Sequence, residues 1–264
     1  MTILEQIVAN KRLEVAARKQ AVPLEHLKKQ CSGLQPGKSL KQALKESSTG
    51  IISEFKRKSP SKGYIHEGAD VELVVKAYQE AGCSGVSVLT DYDYFGGTIG
   101  DFKKARTVLH CPMLRKDFMI DPYQIYESKI LGADVILLIA ACLSLDEAYD
   151  LGELAHELGM EVLLEVHNEE ELEYISRFTD MVGVNNRNLK TFKTDVQTSF
   201  NLASKIPGNV IRISESGLKD SITVNALRKV GYQGFLMGEN FMKEEHPGDA
   251  LASFIKEMSQ TVVV

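Results

Sequence analysis

Eight short apolar runs, an amphipathic stretch between most of them, and near-continuous hydrophobicity inside the runs together predict a (β/α)8 barrel, the TIM barrel fold. An N-terminal helical extension of about 45 residues precedes the barrel. The runs fall at 50–56, 85–90, 112–116, 133–139, 160–166, 181–185, 209–214 and 234–237, with starts about 26 residues apart. That interval holds one strand, one helix and two loops. Val135, Ile136, Leu137, Leu138 and Ile139 show the third feature best. Strands apolar on both faces belong to parallel sheets covered by helices. A doubly wound open sheet would carry a Gly-rich turn after its first strand. Here Lys56, Arg57, Lys58, Ser59 and Pro60 follow instead.

The elements are justified in order. Before the first run, Leu4, Ile7, Val8 and Val15 mark one amphipathic helix, and 24–30 and 39–46 mark two shorter ones. Pro23, Gly33, Pro36 and Gly37 punctuate them. This segment has too little apolar mass to fold alone. The expectation is therefore one barrel domain over 1–264, with 1–48 packed on it and serving substrate affinity more than stability. Within the barrel, Asp70 caps a helix that stops at Gly82. Pro122 opens a helix closed by Gly132, and 145–158 ends at Gly159.

Composition limits the function classes. Apolar residues make up 44% and charged residues 25%, and the net charge is −5. An acidic chain is a poor nucleic-acid ligand, because phosphate binding needs an excess of Lys and Arg. Residues 1–50 carry nine Lys/Arg and four Asp/Glu, a net of +5. Helical spacing with interspersed acids makes this a solvated helix face rather than a basic arm. No apolar run approaches a membrane span, and Glu5 interrupts any signal-peptide pattern. Cys31, Cys83, Cys111 and Cys142 are far apart and lack metal-ligand spacing. Reduced thiols in a cytoplasmic protein and no metal site are the expectation.

In this fold chemistry gathers at the C-terminal ends of the strands. Those positions hold Glu54, Lys56 and Ser59; Arg115, Lys116 and Asp117; Glu165 and His167; Asn185, Asn186 and Arg187; Ser214, Glu215, Ser216 and Gly217; and Leu236, Gly238 and Glu239. Side chains two apart share a face. Glu54 and Lys56 therefore point together, as do Glu165 and His167, and Asn185 and Arg187. Charges on an apolar rim cost several kcal/mol each unless they pair with one another or with substrate. Some candidates have plainer readings. One member of the Arg115, Lys116, Asp117 trio forms a surface ion pair, His167 caps the following segment, and Lys58 and Lys62 are solvated loop charges. Ser216 with Gly217, and Gly238 with Glu239, sit where loops after the seventh and eighth strands cradle phosphate.

At these positions the chain resembles the indole-3-glycerol phosphate synthase family. The resemblance rests on Glu54, Lys56, Arg57, Ser59 and Pro60; Leu89, Thr90 and Asp91; Phe95, Gly96 and Gly97; Lys116, Asp117 and Phe118; Asp121 and Pro122; Glu165 and His167; Asn185, Arg187 and Leu189; and Ser214, Glu215, Ser216 and Gly217. It spans the whole chain. It implies closure of 1-(2-carboxyphenylamino)-1-deoxyribulose 5-phosphate to indole-3-glycerol phosphate, with loss of CO2 and water and without a cofactor. It further implies Lys116 as general acid, and Glu165, Lys56 and Glu54 as the groups sharing the remaining proton transfers, in an undecided division. Asn185 would order Glu165 or the sugar hydroxyls. Ser59 and Arg187 would hold the carboxylate and Phe118 the aromatic ring. Glu215, Ser216, Gly217, Leu236, Gly238 and Glu239 would shape the phosphate end mostly through backbone, with the Glu239 carboxylate turned away. The partner is a phosphorylated small molecule, with no nucleic acid and no membrane; the oligomeric state is open, a monomer being the working assumption. Alternatives are another phosphosugar barrel enzyme, either a Schiff-base aldolase using Lys116 or a phosphoribosylanthranilate isomerase, and a catalytically inert barrel used for binding.

Overall fold

A computed structural model describes residues 2–188 and 191–261. Three helices come first, α1 (Ile3–Ala21), α2 (Leu24–Cys31) and α3 (Leu40–Glu46). Eight parallel strands then close into a barrel: β1 (Ile51–Phe55), β2 (Gly85–Leu89), β3 (Met113–Lys116), β4 (Val135–Ile139), β5 (Glu161–Val166), β6 (Met181–Asn185), β7 (Ile211–Glu215) and β8 (Gly234–Met237). Each pairs with its successor, and β8 returns to β1 through Ile52 opposite Leu236. Every expected strand is present, shifted by at most two residues at either end.

The connections contain α4 (Val71–Glu80), α5 (Tyr92–Phe95), α6 (Ile99–Val108), α7 (Pro122–Ile130), α8 (Leu145–Glu157), α9 (Gln197–Leu202), α10 (Ser221–Lys229), α11 (Glu239–Met242) and α12 (Pro247–Thr261). Side-chain caps explain where several start. Asp70 accepts from the Leu73 amide, and Thr98 and Ser144 form reciprocal capping boxes with Asp101 and Glu147. Between β5 and β6 the helical beat fails, and a 3₁₀ segment, Glu170–Tyr174, takes its place.

The double-sided apolar strands divide into two cores. Val86, Val88, Ile136, Leu138, Val162 and Val182 face outward against the helices. Ile52, Leu114, Leu137, Leu163, Ile213 and Leu236 fill the barrel interior. The extension covers both ends of that interior. Leu40 and Leu44 on α3 plug the N-terminal mouth; a Cβ on Gly85 would fall 2.7 Å from Leu40 Cδ1 and one on Gly234 3.3 Å from Leu44 Cδ1. Each such leucine contributes roughly 1.5–3 kcal/mol when fully buried. At the opposite mouth, Ile7 of α1 joins the interior core.

Ion pairs lock α1 in place. Lys11 is fully buried and lies 2.8 Å from Glu14, 2.9 Å from Asp91 and 2.9 Å from Asp117. Asp117 meets Arg115 at 3.2 Å, Arg115 meets Glu127 at 2.7 Å, Glu127 meets Arg18 at 3.1 Å, and Arg18 returns to Glu14 at 3.2 Å. The result is a closed ring of alternating charge. Burial opposes the Lys11 ammonium, yet Asp117, Asp91 and Glu14 hold it well above the usual lysine range. One expectation changes here. The Arg115–Asp117 pair is interior, since neither side chain is exposed. The extension contributes to the fold as well, because Leu40 and Leu44 join the interior core and Lys11 ties α1 to the outside of the barrel. Replacing one partner of a buried pair typically costs about 3–5 kcal/mol. Lys11→Met is therefore expected to lower the urea-unfolding free energy by about that amount, and an unchanged midpoint and slope would show that the ring does not hold α1.

Candidate active site

Four odd-numbered strands each send one ionisable side chain inward near the C-terminal mouth: Glu54 from β1, Lys116 from β3, Glu165 from β5 and Glu215 from β7. Alternate strands supply alternate layers of such a barrel, so these side chains form one layer above the aliphatic core. Lys116 Nζ stands 2.8 Å from Glu165 and 2.8 Å from Glu215. Glu54 is paired outward with Lys56 at 2.6 Å. Glycines on β6 and just past β8 yield space for the carboxylates. A Cβ at Gly183 would lie 2.1 Å from Glu215 Oε1, and one at Gly238 would lie 2.7 Å from Glu54 Oε1.

One ammonium among three carboxylates sets the electrostatics. Burial opposes charge on Lys116, but Glu165, Glu215 and Glu54 hold it well above the usual lysine range. Burial likewise opposes the charge on Glu165, but Lys116 and His167 keep its carboxyl well below the usual carboxylate range. Asn185 Nδ2 donates to Glu165 Oε1 at 2.9 Å. Glu215 takes the opposite course. Burial, together with the charges of Glu165 and Glu54, pushes it up to about 7 despite Lys116. Its Oε1 has no hydrogen-bond partner.

Above the layer opens a cavity of about 730 Å³. Its wall along α1, β2, β3 and β4 is apolar, built from Ile3, Leu4, Ile7, Phe95, Phe118 and Ile139. Phe95 and Phe118 stack at 6.1 Å with a 38° tilt. The facing wall, after β7 and β8, is polar and carries Ser216, Gly217, Lys219, Gly238, Asn240 and Lys243. Ser216 and Gly217 take φ of 65° and 75°. A left-handed serine is uncommon, and such backbone strain concentrates at ligand turns. Between the walls, Ser59 is buried with its Oγ unpartnered. Arg187 Nη1 donates to Ser61 Oγ at 2.6 Å.

All fourteen residues proposed from the sequence line this cavity. Several take different positions from those expected. The Glu215 side chain joins Lys116 in the acid–base layer rather than merely shaping the phosphate end through its backbone. His167 caps nothing: its backbone amide donates to Glu171 at 2.8 Å, and its ring lies between Glu165 and Glu171. Lys62 pairs with Glu239 at 2.5 Å across the cavity rim, and Arg187 approaches the same carboxylate at 3.7 Å. The Glu239 carboxylate is thus occupied by cations. Lys58 donates to the Asp93 carbonyl at 2.7 Å. Asn186 turns away from the cavity and braces β6 against β7, donating to Ser214 Oγ at 3.0 Å. Leu189, the end of one matching motif, lies outside the described residues. Sequence reasoning missed Ile3, Leu4 and Ile7, whose place depends on how α1 docks. It also missed Leu137 and Ile139, which strand parity with the neighbouring Lys116 could have supplied. Among the described residues no cluster of His, Cys, Asp and Glu forms a metal-ligand set, and no helix is long and apolar enough to cross a membrane.

Comparison with known proteins agrees with this geometry. A family model described as indole-3-glycerol phosphate synthase matches residues 4–254. Indole-3-glycerol phosphate synthase of Bacteroides thetaiotaomicron is 50% identical over 254 residues, covering 96% of this chain and 98% of that protein. The protein of the same name from Polynucleobacter asymbioticus is 42% identical over 260 residues, covering 95% and 97%. Among solved structures, 3-hexulose-6-phosphate synthase from Salmonella typhimurium matches with a TM-score of 0.62 at 13% identity, over 80% of this chain and 99% of that one. At that identity it speaks for the barrel alone. Family model, near full-length relatives and the convergent layer of Lys116, Glu165 and Glu54 lead to one conclusion: this chain belongs to the indole-3-glycerol phosphate synthase family.

Proposed function

We propose that the chain converts 1-(2-carboxyphenylamino)-1-deoxyribulose 5-phosphate into indole-3-glycerol phosphate, CO2 and water in the cytoplasm, working as a monomer and by acid–base chemistry of its own side chains. The observation that carries this reading is the charged layer of Lys116, Glu165, Glu215 and Glu54 beneath a cavity apolar at one wall and cationic at the other. A substrate with an aromatic ring at one end and a phosphate at the other fits that polarity. Phe118 and Phe95 pack on the ring. Ser59 and Arg187 hold its carboxylate. Ser216, Gly217, Leu236, Gly238 and the Glu239 backbone close around the phosphate, with Lys56 and Lys243 adding charge.

Ring closure places negative charge on the ketone oxygen as the carboxylated ring carbon attacks. Lys116 donates a proton there. Its ammonium is held protonated by its carboxylate partners, so it arrives at the reaction charged. Glu165, steered by Asn185, accepts and returns protons beside it. CO2 leaves and the ring system rearomatises. Departure of the hydroxyl then needs an acid and removal of the remaining proton a base. The Lys56–Glu54 pair, 2.6 Å apart, supplies that second couple. Glu215 tunes Lys116 from below.

The same electrostatics weigh against the aldolase alternative. An imine-forming lysine must be neutral, its ammonium value lowered, whereas Lys116 is moved in the opposite direction. Incubation with the substrate and detection of indole fluorescence with CO2 release tests the assignment directly; an isomerase would leave the carboxylate on the ring. Lys116→Ala is expected to lower kcat by about 10²–10⁴ while substrate binding persists, and an unchanged rate would remove Lys116 from the mechanism. Glu215 yields a stability prediction. A carboxyl raised in the folded state stabilises the fold in its protonated form; that contribution is complete below its ordinary 4.5 and is lost as pH climbs through about 7. Wild type should therefore lose stability relative to Glu215→Gln between those two values. Parallel pH–stability curves would refute the assignment.

A further inference from the structure

The proposed reaction consumes a proton. The substrate enters as a carboxylate and its carboxyl carbon leaves as CO2. The closing alkoxide takes one proton, the departing hydroxyl takes a second, and one carbon-bound proton is given up. Two are taken and one is returned, so every turnover draws one proton from solvent. The acid–base layer lies at the bottom of the cavity that the substrate occupies.

A second route leads away from that layer through the wall. Glu165 Oε2 lies 2.8 Å from Lys116 Nζ, and Glu165 Oε1 lies 3.3 Å from His167 Nε2, an ion-pair contact short of a formed hydrogen bond. The opposite ring nitrogen, Nδ1, is 3.1 Å from Glu171 Oε2. Side-chain exposure rises along the series, from 4% at Glu165 to 11% at His167 and 16% at Glu171. Glu171 is fixed from three sides: the His167 amide donates to it at 2.8 Å, Asn168 Nδ2 donates at 3.1 Å, and its own amide donates to Asn168 Oδ1 at 2.9 Å. It sits in the 3₁₀ segment that replaces a helix between β5 and β6. That irregularity brings a surface carboxylate within reach of a residue two positions past Glu165.

We infer that His167 is a positioning residue for Glu165 that also carries its proton, linking Lys116 and Glu165 through Glu171 to solvent behind the bound substrate. In each passage the imidazolium gives its Nε2 proton to Glu165 and keeps Nδ1–H against Glu171; the neutral ring then turns about Cβ–Cγ, its bare Nε2 takes a proton from solvent on the Glu171 side, and the reloaded ring turns back; no bond other than N–H and O–H changes. Burial opposes charge on the imidazole, but Glu165 and Glu171 raise it to about 9, so it stands loaded at neutral pH. The other ionisable groups near the wire are Cys142, whose thiol burial keeps well above its usual range, and Tyr174, whose hydroxyl donates to the Leu143 carbonyl at 2.9 Å. Neither interrupts it.

The inference rests on the reaction proposed above, and the test separates the two. Wild-type protein with the carboxyphenylamino substrate must yield indole product; failure there rejects the reaction and not the relay specifically. With that established, His167→Gln keeps an amide donor toward Glu165 but cannot take up and release a proton. Single-turnover rates should fall by about 10–100-fold with substrate affinity unchanged, which is less than the loss for a group acting on the substrate itself. Added imidazole should restore the rate in proportion to its concentration, and the solvent deuterium effect should increase. Glu171→Gln, at the more exposed end, should show a smaller loss with the same rescue. A wild-type rate in His167→Gln, or a loss that imidazole leaves untouched in both variants, would overturn the relay.

Discussion

Sharing a single buried ammonium, Lys116, among Glu165, Glu215 and Glu54 is the constraint around which the rest of this molecule is arranged. In an apolar barrel such a layer carries excess negative charge, and uncompensated charge in a protein interior costs several kcal/mol per ion. The chain relieves the excess by three means. Lys56 and His167 bring further cations against Glu54 and Glu165. Asn185 satisfies the Glu165 oxygen that Lys116 does not reach. Glu215 retains a proton to near neutrality. Gly183 and Gly238 belong to the same solution, because any side chain there would occupy carboxylate space.

The position of Lys116 is in turn set by what flanks it. Arg115 and Asp117, its neighbours on either side, face the opposite way and enter the ion ring that reaches α1 through Lys11. The strand end bearing the central ammonium is thereby clamped between the layer inside the barrel and the ring outside it. A segment that reads as an appendage is instead a structural member at both mouths. Leu40 and Leu44 seal one, and Ile7 and Lys11 serve the other. Rigid support of this kind holds acid–base groups at fixed distances, which proton transfer in a small cavity requires.

The barrel was legible because its signals are local. Double-sided apolar strands, Asp and Ser caps, and glycines after helices recur on a regular beat, and parity alone placed Glu54 with Lys56 and Glu165 with His167. What escaped depends on tertiary placement. Nothing in the spacing of Ile3, Leu4 and Ile7 says that α1 lies across the cavity. Glu215 shared the end of β7 with a turn of phosphate-cradle type, and its side chain and the turn behind it serve different ends. In the sequence His167 reads as a cap for the helix expected to follow it. That helix is absent, and the 3₁₀ segment presents Glu171 to the imidazole instead. The surface pair expected within the Arg115, Lys116, Asp117 trio is absent for a related reason: a charged trio at a strand end suggests solvent until the covering helix is known.

The account stands or falls on how the protons in the layer are distributed. The direct measurement is a ¹³C NMR titration of protein labelled at the glutamate side-chain carboxyls, with Glu215→Gln and Glu165→Gln used to assign the resonances. The account predicts one carboxyl titrating near neutrality that vanishes in Glu215→Gln, another that stays ionised far into acid and vanishes in Glu165→Gln, and upward movement of both when Lys116 is replaced by Met. Ordinary titration of both carboxyls near 4.5, indifferent to Lys116→Met, would contradict it.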